Sequence, residues 1–314
     1  MTQSEHHPTG AHPLGEEPGP YGTGATGQAT DQRADVSSFS PQASMWDAVR
    51  KVRTRHLAQA KATGEKFAML TCYDFLTAQV FDAAGIEVLL VGDSAGNNVL
   101  GHTSTLNITV DQLIPLTAAV AAGAQRSLVL ADLPFGSYQL SPEQAVATAV
   151  RFMKEGNAHA VKMEVHAGLT DHVRAVVNAG IPVVAHIGFT PQSEHALGGF
   201  RVQGRGSAAA DLLDVALAME AAGAFCLLLE MTTAESAAAV ESAVSIPTVG
   251  IGAGGSTTGQ VLVWQDAFGL RRGKLPRFVK QYADLYGTLH EAAVAFRTDV
   301  CSGTYPAPEH TFES

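Results

Sequence analysis

The sequence predicts a parallel α/β fold that closes into a (β/α)8 barrel, formed by residues 45–314 as one domain. Short apolar runs alternate with helical segments eight times in about 250 residues, which is the usual size of such a barrel. Several of the helical segments end in an Ala-Gly pair, where glycine supplies a left-handed cap before the next strand: Ala84-Gly85, Ala122-Gly123, Ala179-Gly180 and Ala222-Gly223. A doubly wound open sheet is the alternative that this pattern also allows.

The first 44 residues are different in composition from the rest of the chain. They are rich in Gly, Pro, Ser, Thr and His and contain almost no large apolar side chains. Burial of such a segment cannot offset the entropy cost of ordering it, so we predict a disordered tail over residues 1–44. The tail lacks the features of a signal peptide, and no apolar run approaches the roughly 20 residues of a membrane span. We therefore expect a cytoplasmic protein without a membrane segment.

Charge and cysteine usage exclude several kinds of partner. The formal net charge is -10, whereas nucleic acids and anionic membranes select clusters of Lys and Arg. The three cysteines, Cys72, Cys226 and Cys301, show no CxxC or Cys/His spacing. They are expected to be reduced thiols rather than metal ligands or disulfides.

The predicted elements follow one another in a regular order. The basic amphipathic segment Met45–Ala62 is expected to be a helix that caps the fold. The predicted strands are 67–71, 88–91, 127–131, 160–164, 182–187, 225–230, 247–251 and 260–263. The predicted helices are 74–84, 109–122, one that begins at Ser141-Pro142, then 169–179, 208–222, 233–243 and 276–296. Ser141 followed by Pro142 is a strong helix start, because serine caps the helix and proline suits its first position.

Acidic side chains stand at the ends of four predicted strands: Asp93, Asp132, Glu164 and Glu230. Asp93 lies in the segment Val91-Gly92-Asp93-Ser94-Ala95-Gly96, directly after an apolar run. A single acid in this position would be explained as a helix cap, but four are hard to explain in this way. In a barrel the carboxyl ends of the strands surround one mouth, so the four side chains are expected to converge there.

Three of these acids, Asp93, Asp132 and Glu164, end neighbouring strands and form a candidate metal site. Hard oxygen ligands without thiolates suit Mg²⁺, which usually keeps waters and is completed by substrate oxygens. The alternative is that one or two of the acids only pair with Lys or Arg.

Lys162, Glu230 and His186 are further candidates. Side chains alternate along a strand, so Lys162 is expected to point to the same side as Glu164. It could hold a substrate carboxylate, form a Schiff base, or simply neutralise the acids. Glu230, across the mouth, is a candidate base, unless it caps the helix that begins near Thr233. His186 is either a core histidine or a contact of the substrate or of the neighbouring site residues.

The segment Gly250–Gly255 matches the pattern GxGxxG. It lacks the following helix and the acidic residue about 20 positions later that a dinucleotide site requires. We expect a loop at the barrel mouth where the backbone approaches its neighbours closely.

Six segments together resemble the ketopantoate hydroxymethyltransferase family. They are Leu90-Val91-Gly92-Asp93-Ser94, Leu130-Ala131-Asp132-Leu133-Pro134-Phe135, Val161-Lys162-Met163-Glu164, Gly188-Phe189-Thr190-Pro191-Gln192-Ser193, Val202-Gln203-Gly204-Arg205-Gly206 and Gly250-Ile251-Gly252-Ala253-Gly254. The resemblance runs from about Met45 to the C-terminal Glu309-His310-Thr311-Phe312. Val165-His166 and Asn107 depart from the expected glycine and proline, and both departures lie in loops.

The resemblance implies a barrel of the phosphoenolpyruvate/pyruvate type. It implies transfer of a hydroxymethyl group from 5,10-methylenetetrahydrofolate to 3-methyl-2-oxobutanoate, giving 2-dehydropantoate for pantothenate synthesis through a Mg-stabilised enolate. It assigns the metal to Asp93, Asp132 and Glu164, the keto acid to Asp93, Ser94, Asp132 and Lys162, and the general base to Glu230. It also implies self-association as a homodecamer. The alternatives are another Mg-dependent or Schiff-base lyase or aldolase of 2-oxo acids, and a silent metabolite-binding protein.

Overall fold

The computed structural model describes residues 44–312, and these form a closed barrel of eight parallel strands. The strands are β1 Phe67–Thr71, β2 Val88–Val91, β3 Leu128–Asp132, β4 Ala160–Glu164, β5 Val183–Gly188, β6 Cys226–Glu230, β7 Thr248–Ile251 and β8 Gly259–Leu262. Each strand pairs with the next, and β8 pairs with β1. The barrel prediction is confirmed and the open sheet is excluded. The predicted tail lies outside the described residues, apart from Ser44.

Helices follow the strands around the outside of the barrel. They are α1 Thr54–Thr63, α2 Phe75–Ala83, α3 Ala95–Asn98, α4 Val110–Gly123, α5 Pro142–Lys154, α6 Thr170–Asn178, α7 Glu194–Leu197, α8 Ala208–Ala221, α9 Ala234–Ala243, α10 Trp264–Ala267 and α11 Leu285–Ser302. Over residues 44–312, no helix combines the length and the apolar character that crossing a membrane requires.

The strands are buried on both faces, and this divides the core into two layers. Ala160 belongs to the cluster inside the barrel, whereas Val161 and Met163 belong to the cluster between the strands and the helices. The period of two along β4 therefore directs Lys162 and Glu164 to the inside, as predicted. Apolar residues fill the barrel below them, so the polar side chains of the inner face are confined to its carboxyl end.

The amino end of the barrel is closed by the segment after Ser44, but not by a single helix. The predicted helix over 45–62 is wrong, because the segment splits into a 3-10 helix, Met45–Ala48, and α1. Between them Val49 is extended and its carbonyl accepts a hydrogen bond from Arg126, while the Val52 N–H donates to the Arg126 carbonyl at 2.7 Å. These bonds to the start of β3 compete with continuation of the helix.

The last helix also differs from the prediction. It begins at Leu285 rather than 276, and it continues to Ser302. The N–H groups of Tyr282, Leu285 and Tyr286 donate to carbonyls of residues 267–269, and the Asp284 side chain caps α11 through Gly287 N–H. The chain before Leu285 is thus held against α10 in a non-helical form. None of the residues of α11 is buried by the rest of the described chain.

The Ala-Gly pairs serve two different purposes. Gly85, Gly180 and Gly223 have φ of 88°, 84° and 98°, which confirms the predicted left-handed caps. Gly123 instead is the last residue of α4, and a Cβ there would lie 2.6 Å from the Phe75 carbonyl oxygen. The prediction is wrong for Gly123, where glycine allows close contact between α2 and α4.

Candidate active site

The carboxyl end of the barrel brings the predicted side chains together around one pocket. Its lining includes Asp93, Ser94, Asp132, Lys162, Glu164, His186 and Glu230. Apart from the partly buried Ser94, each is at most 6% exposed. The strand register causes this convergence, since Asp132 pairs with Lys162 and Glu164 pairs with His186 on adjacent strands.

Lys162 forms a buried ion pair with Asp132. Its Nζ lies 2.8 Å from Asp132 Oδ2 and 3.2 Å from His186 Nδ1. Burial acts to lower the pKa of Lys162, but Asp132, Glu164 and Asp93 raise it above its ordinary value. Lys162 is therefore held as an ammonium ion among these acids.

His186 lies between Lys162 and Glu230, and its surroundings determine its protonation. Burial lowers the pKa of His186 well below its ordinary value, and the charge on Lys162 adds to this shift. The ring is therefore neutral. Because Nδ1 faces the Lys162 ammonium, Nδ1 accepts, and the proton is assigned to Nε2. Nε2 lies 3.3 Å from Glu230 Oε2 without forming a hydrogen bond, so the imidazole stands between Lys162 and the candidate base.

Asp93 and Glu164 are held by neutral donors rather than by cations. The Gln192 side chain donates Nε2–H to Asp93 Oδ2 at 3.0 Å, and the Gln192 backbone N–H donates to Glu164 Oε2 at 2.8 Å. Gln192 was not among the predicted site residues. Its only signal was its place in the segment Gly188–Ser193, which contributed to the family resemblance.

The acids of the pocket are not helix caps. The side chain that caps α9 belongs to Thr233, which accepts from the Ser236 N–H at 3.2 Å, and not to Glu230. Ser94 occupies the N-cap position of α3, and the Asp93 carboxylate accepts from Gln192 instead. The alternative of helix caps is therefore wrong for both acids.

The pocket carries more negative than positive charge. Four carboxylates line it, and Lys162 is the one cation among the lining residues of the described chain. Burial raises the pKa of Asp132 to about 7. The positive charge of Lys162 acts against this shift, and the negative charge of Asp93 adds to it. Burial likewise raises the pKa of Glu164 well above its ordinary value. Buried carboxylates at this density favour an additional cation.

Two carboxylate oxygens are available to such a cation. Asp132 Oδ1 and Glu164 Oε1 are buried, and neither accepts a hydrogen bond within residues 44–312. Over the same residues, no three His, Cys, Asp or Glu side chains form a ready-made metal cage. Mg²⁺ does not require one, because it usually takes one or two carboxylates, waters and substrate oxygens. The donor set fits Mg²⁺, and the three-acid ligand set stays a prediction.

Ser94 is positioned beside Asp93 by a buried tyrosine. Its Oγ lies 2.8 Å from the Tyr73 hydroxyl oxygen. A Cβ at Gly92 would lie 2.9 Å from the same Oγ, so the small residue before Asp93 leaves room for this hydroxyl. The Ser94 hydroxyl is thus fixed at the edge of the charged cluster.

The side of the pocket formed by β7 and β8 is apolar. Ile251, Val261, Leu262 and Val263 line it there. In an eight-stranded closed barrel, β7 and β8 lie across from β3 and β4, which carry Asp132, Lys162 and Glu164. This apolar wall was not predicted from the sequence, because its residues are of the types found in any buried strand.

The glycine-rich segment after β7 is a loop at the mouth, as expected. Gly252 and Gly254 have φ of 61° and 76°, and a Cβ on Gly252 would lie 2.8 Å from the Phe278 ring. The glycines serve close packing of this loop. On the neighbouring strand, Met231, directly after Glu230, has φ of 45°, a strained value for a residue with a Cβ.

Comparison with known proteins assigns the family. The sequence profile of ketopantoate hydroxymethyltransferase matches residues 51–308. The chain belongs to this family. It is 61% identical over 297 residues to a 3-methyl-2-oxobutanoate hydroxymethyltransferase of Paenarthrobacter aurescens, covering 95% of this chain and 96% of that protein. For a protein of the same description from Corynebacterium glutamicum, identity is 54%, with 84% and 98% covered. The predicted family and enzyme class, a hydroxymethyltransferase, are confirmed.

Solved structures with a similar fold are more distant in sequence. A phosphonopyruvate hydrolase in complex with oxalate and Mg²⁺ superposes with a TM-score of 0.56 at 14% identity, covering 82% of this chain and 93% of that one. A 2,3-dimethylmalate lyase of the PEP mutase/isocitrate lyase superfamily gives 0.53 at 16% identity, with 82% and 91% covered. At this identity the likeness shows the fold alone, a (β/α)8 barrel.

Proposed function

We propose that the protein transfers a hydroxymethyl group from 5,10-methylenetetrahydrofolate to 3-methyl-2-oxobutanoate, giving 2-dehydropantoate for pantothenate and coenzyme A synthesis. The observation that carries the proposal is the two-sided pocket, with a charged wall on β3 and β4 and an apolar wall on β7 and β8. The keto acid has the same two halves, a 2-oxo carboxylate and a branched alkyl group. Family membership supports the identity of both substrates.

Asp93, Asp132 and Glu164 would hold Mg²⁺. The excess of buried carboxylates and the oxygens without hydrogen-bond donors support this assignment. When bound, the ion supplies Lewis-acid stabilisation of the negative charge that develops as the keto acid loses its C3 proton.

The chain's own residues would orient the keto acid. Lys162, held as an ammonium ion, and the Ser94 hydroxyl are suited to bind its carboxylate. Asp93 and Asp132 would flank the bound acid. The apolar wall would receive the branched alkyl end and exclude water from it.

Glu230 would act as the general base. Its carboxylate would accept the C3 proton, and C3 would then form a C–C bond to the methylene carbon of the folate. Both C–N bonds to that carbon would break, and tetrahydrofolate would leave with the C3 proton and one proton of water on its two nitrogens. Water supplies the hydroxyl of the product. His186 Nε2 lies 3.3 Å from the Glu230 carboxylate, so a neutral ring stands next to the proposed base. Glu230 and the Asp132–Lys162 pair thus stand on opposite sides of His186.

A Schiff-base aldolase that uses Lys162 is less well supported. A Schiff base requires the neutral amine, whereas three acids hold Lys162 as an ammonium ion.

We further propose that the protein is a homodecamer of the cytoplasm. The support for self-association is α11, whose apolar side chains Leu289, Phe296 and Val300 are 56%, 60% and 48% exposed. Contiguous apolar surface of this kind is typical of protein–protein contacts. Analytical ultracentrifugation of the full chain would test the stoichiometry.

An assay of ketopantoate formation from the two substrates, with and without Mg²⁺, tests the proposed reaction. We expect turnover that requires both substrates and the metal. Trapping of a substrate–Lys162 adduct with borohydride, together with turnover in the absence of Mg²⁺, would instead support the Schiff-base alternative.

A further inference from the structure

Gln192 lies where two of the pocket acids meet, although they come from strands that are not adjacent. It is part of the 3-10 helix Pro191–Ser193 after β5 and is 5% exposed. We propose that Gln192 is a positioning residue that fixes the carboxylates of Asp93 and Glu164 for metal binding. This inference rests on the proposed magnesium site and adds a residue to it that binds neither metal nor substrate.

The partners of the Gln192 side chain determine how its amide is oriented. Nε2 lies 3.0 Å from Asp93 Oδ2 and 3.0 Å from the Leu133 carbonyl oxygen, and both can only accept. Oε1 lies 2.8 Å from the Tyr138 hydroxyl and 3.2 Å from Gln139 Nε2, and both can donate. The opposite orientation of the amide would place its oxygen against two acceptors.

The backbone around Gln192 is held as firmly as the side chain. Its N–H donates to Glu164 Oε2 at 2.8 Å, and the Phe189 N–H donates to the Glu230 carbonyl at 2.8 Å. The Ser193 N–H closes the short helix on the Thr190 carbonyl at 2.8 Å. One residue thus connects the acid that follows β2 to the acid that ends β4.

The chemical nature of the contact favours metal binding over simple neutralisation. The Gln192 side-chain amide and backbone N–H orient the carboxylates of Asp93 and Glu164 and leave their negative charge in place. A lysine or an arginine at this position would neutralise that charge. Glu164 Oε1 is left without a donor, whereas Asp132 Oδ2 is bound by the Lys162 ammonium. Partners of this kind behind metal ligands fix the ligand orientation and contribute strongly to affinity.

The test measures binding of Mn²⁺, which takes the same oxygen ligands, to the full chain without substrate, by electron paramagnetic resonance of the free ion. Gln192→Leu removes both side-chain functions at nearly the same volume. The matched control is Gln144→Leu, because Gln144 holds the neighbouring loop through Leu140 N–H and the Gly136 carbonyl and touches no carboxylate. We expect Gln192→Leu to weaken Mn²⁺ binding by about 10–100-fold and the control to leave it unchanged.

A second variant keeps the test decisive if Gln192→Leu does not fold. Gln192→Asn retains an amide and the backbone N–H, but it is too short to reach Asp93, so Mn²⁺ affinity should again fall. Wild-type affinity in a folded Gln192 variant would overturn the positioning role. An equal loss in Gln144→Leu would overturn it as well, since the effect would then belong to the loops. If the wild-type protein bound no Mn²⁺, the proposed metal site itself would be wrong.

Discussion

Both ends of the barrel contain buried or partly buried charged side chains, but the groups that bind these side chains differ between the two ends. At the amino end, Arg126 donates to the carbonyls of Trp46, Val49 and Gly85 at 3.1, 3.0 and 2.9 Å. Asp82 accepts from three consecutive backbone N–H groups, residues 125–127. Burial acts to raise the pKa of Asp82, but these hydrogen bonds lower it below its ordinary value. Charge at this end is matched mainly by the main chain, and Arg126 also lies 3.7 Å from the Glu87 carboxylate.

At the carboxyl end, the side chains of the pocket contact mainly one another, and the matching is incomplete. Lys162 pairs with Asp132 at 2.8 Å, while one oxygen of each of two acids, Asp132 Oδ1 and Glu164 Oε1, accepts no hydrogen bond over residues 44–312. The amino end therefore stabilises the fold, and the carboxyl end retains charge for a ligand. Changes at the two ends should accordingly separate stability from turnover.

Removal of metal should have the largest effect and should concern the carboxyl end alone. We expect EDTA to abolish turnover and Mg²⁺ to restore it, because the excess negative charge of the pocket requires a cation. Unfolding monitored by circular dichroism before and after chelation should show an intact fold. Full turnover of the metal-stripped protein would contradict the oxygen-ligand site.

The substitution Glu230→Gln should have the second-largest effect on turnover. The variant is nearly isosteric but cannot accept the C3 proton, so we expect turnover to fall by about 10²–10⁴-fold. Affinity for Mg²⁺ should barely change, because Glu230 is not among the predicted ligands. A comparable loss of Mg²⁺ affinity, measured by calorimetry, would instead place Glu230 in the metal site.

Arg126→Met should act at the amino end. It keeps the length of the side chain and removes the donors to three carbonyls, so we expect the free energy of unfolding to fall by about 1.5–3 kcal/mol. Urea denaturation measures this change. Turnover per folded molecule should stay at the wild-type level, and a loss of turnover would show that the two ends are coupled.

His159 should give the smallest effect, as a pH dependence of stability. Its Nδ1 accepts from the Val129 N–H at 2.9 Å, and burial, together with Lys51 and Arg53, lowers its pKa from 6.5 to about 4. The unfolded chain therefore binds the proton first, and the contribution of His159 to stability is lost as pH falls from about 6.5 to about 4. His159→Gln should reduce this slope of unfolding free energy against pH. If the slope is unchanged in the variant, the pH dependence of stability arises from other titratable groups.

The sequence predicted the elements that repeat and the side chains that depend on them. β1, β2 and β4 begin and end at the predicted residues, because apolar runs of limited length are bounded by polar residues or glycine. The convergence of Asp132, Lys162 and Glu164 followed from alternation along a strand and from strand order. Both are properties of the local sequence.

Features that depend on distant contacts could not be predicted in this way. Gln192 reaches Asp93 across 99 positions of sequence, and a neutral amide in a loop has no periodicity that would indicate this contact. The start of α11 depends on backbone hydrogen bonds to residues 267–269, which prevent helix formation in the preceding segment.

Exchange of the C3 hydrogen of 3-methyl-2-oxobutanoate with D2O, followed without folate, tests the central claim most directly. The claim is that the carboxyl end removes this proton through Glu230 with the aid of Mg²⁺. The wild-type protein with Mg²⁺ should exchange the hydrogen, and Glu230→Gln should exchange it more slowly by about the factor lost in turnover, roughly 10²–10⁴. Exchange by Glu230→Gln at the wild-type rate would contradict the account and would make His186 the next candidate base.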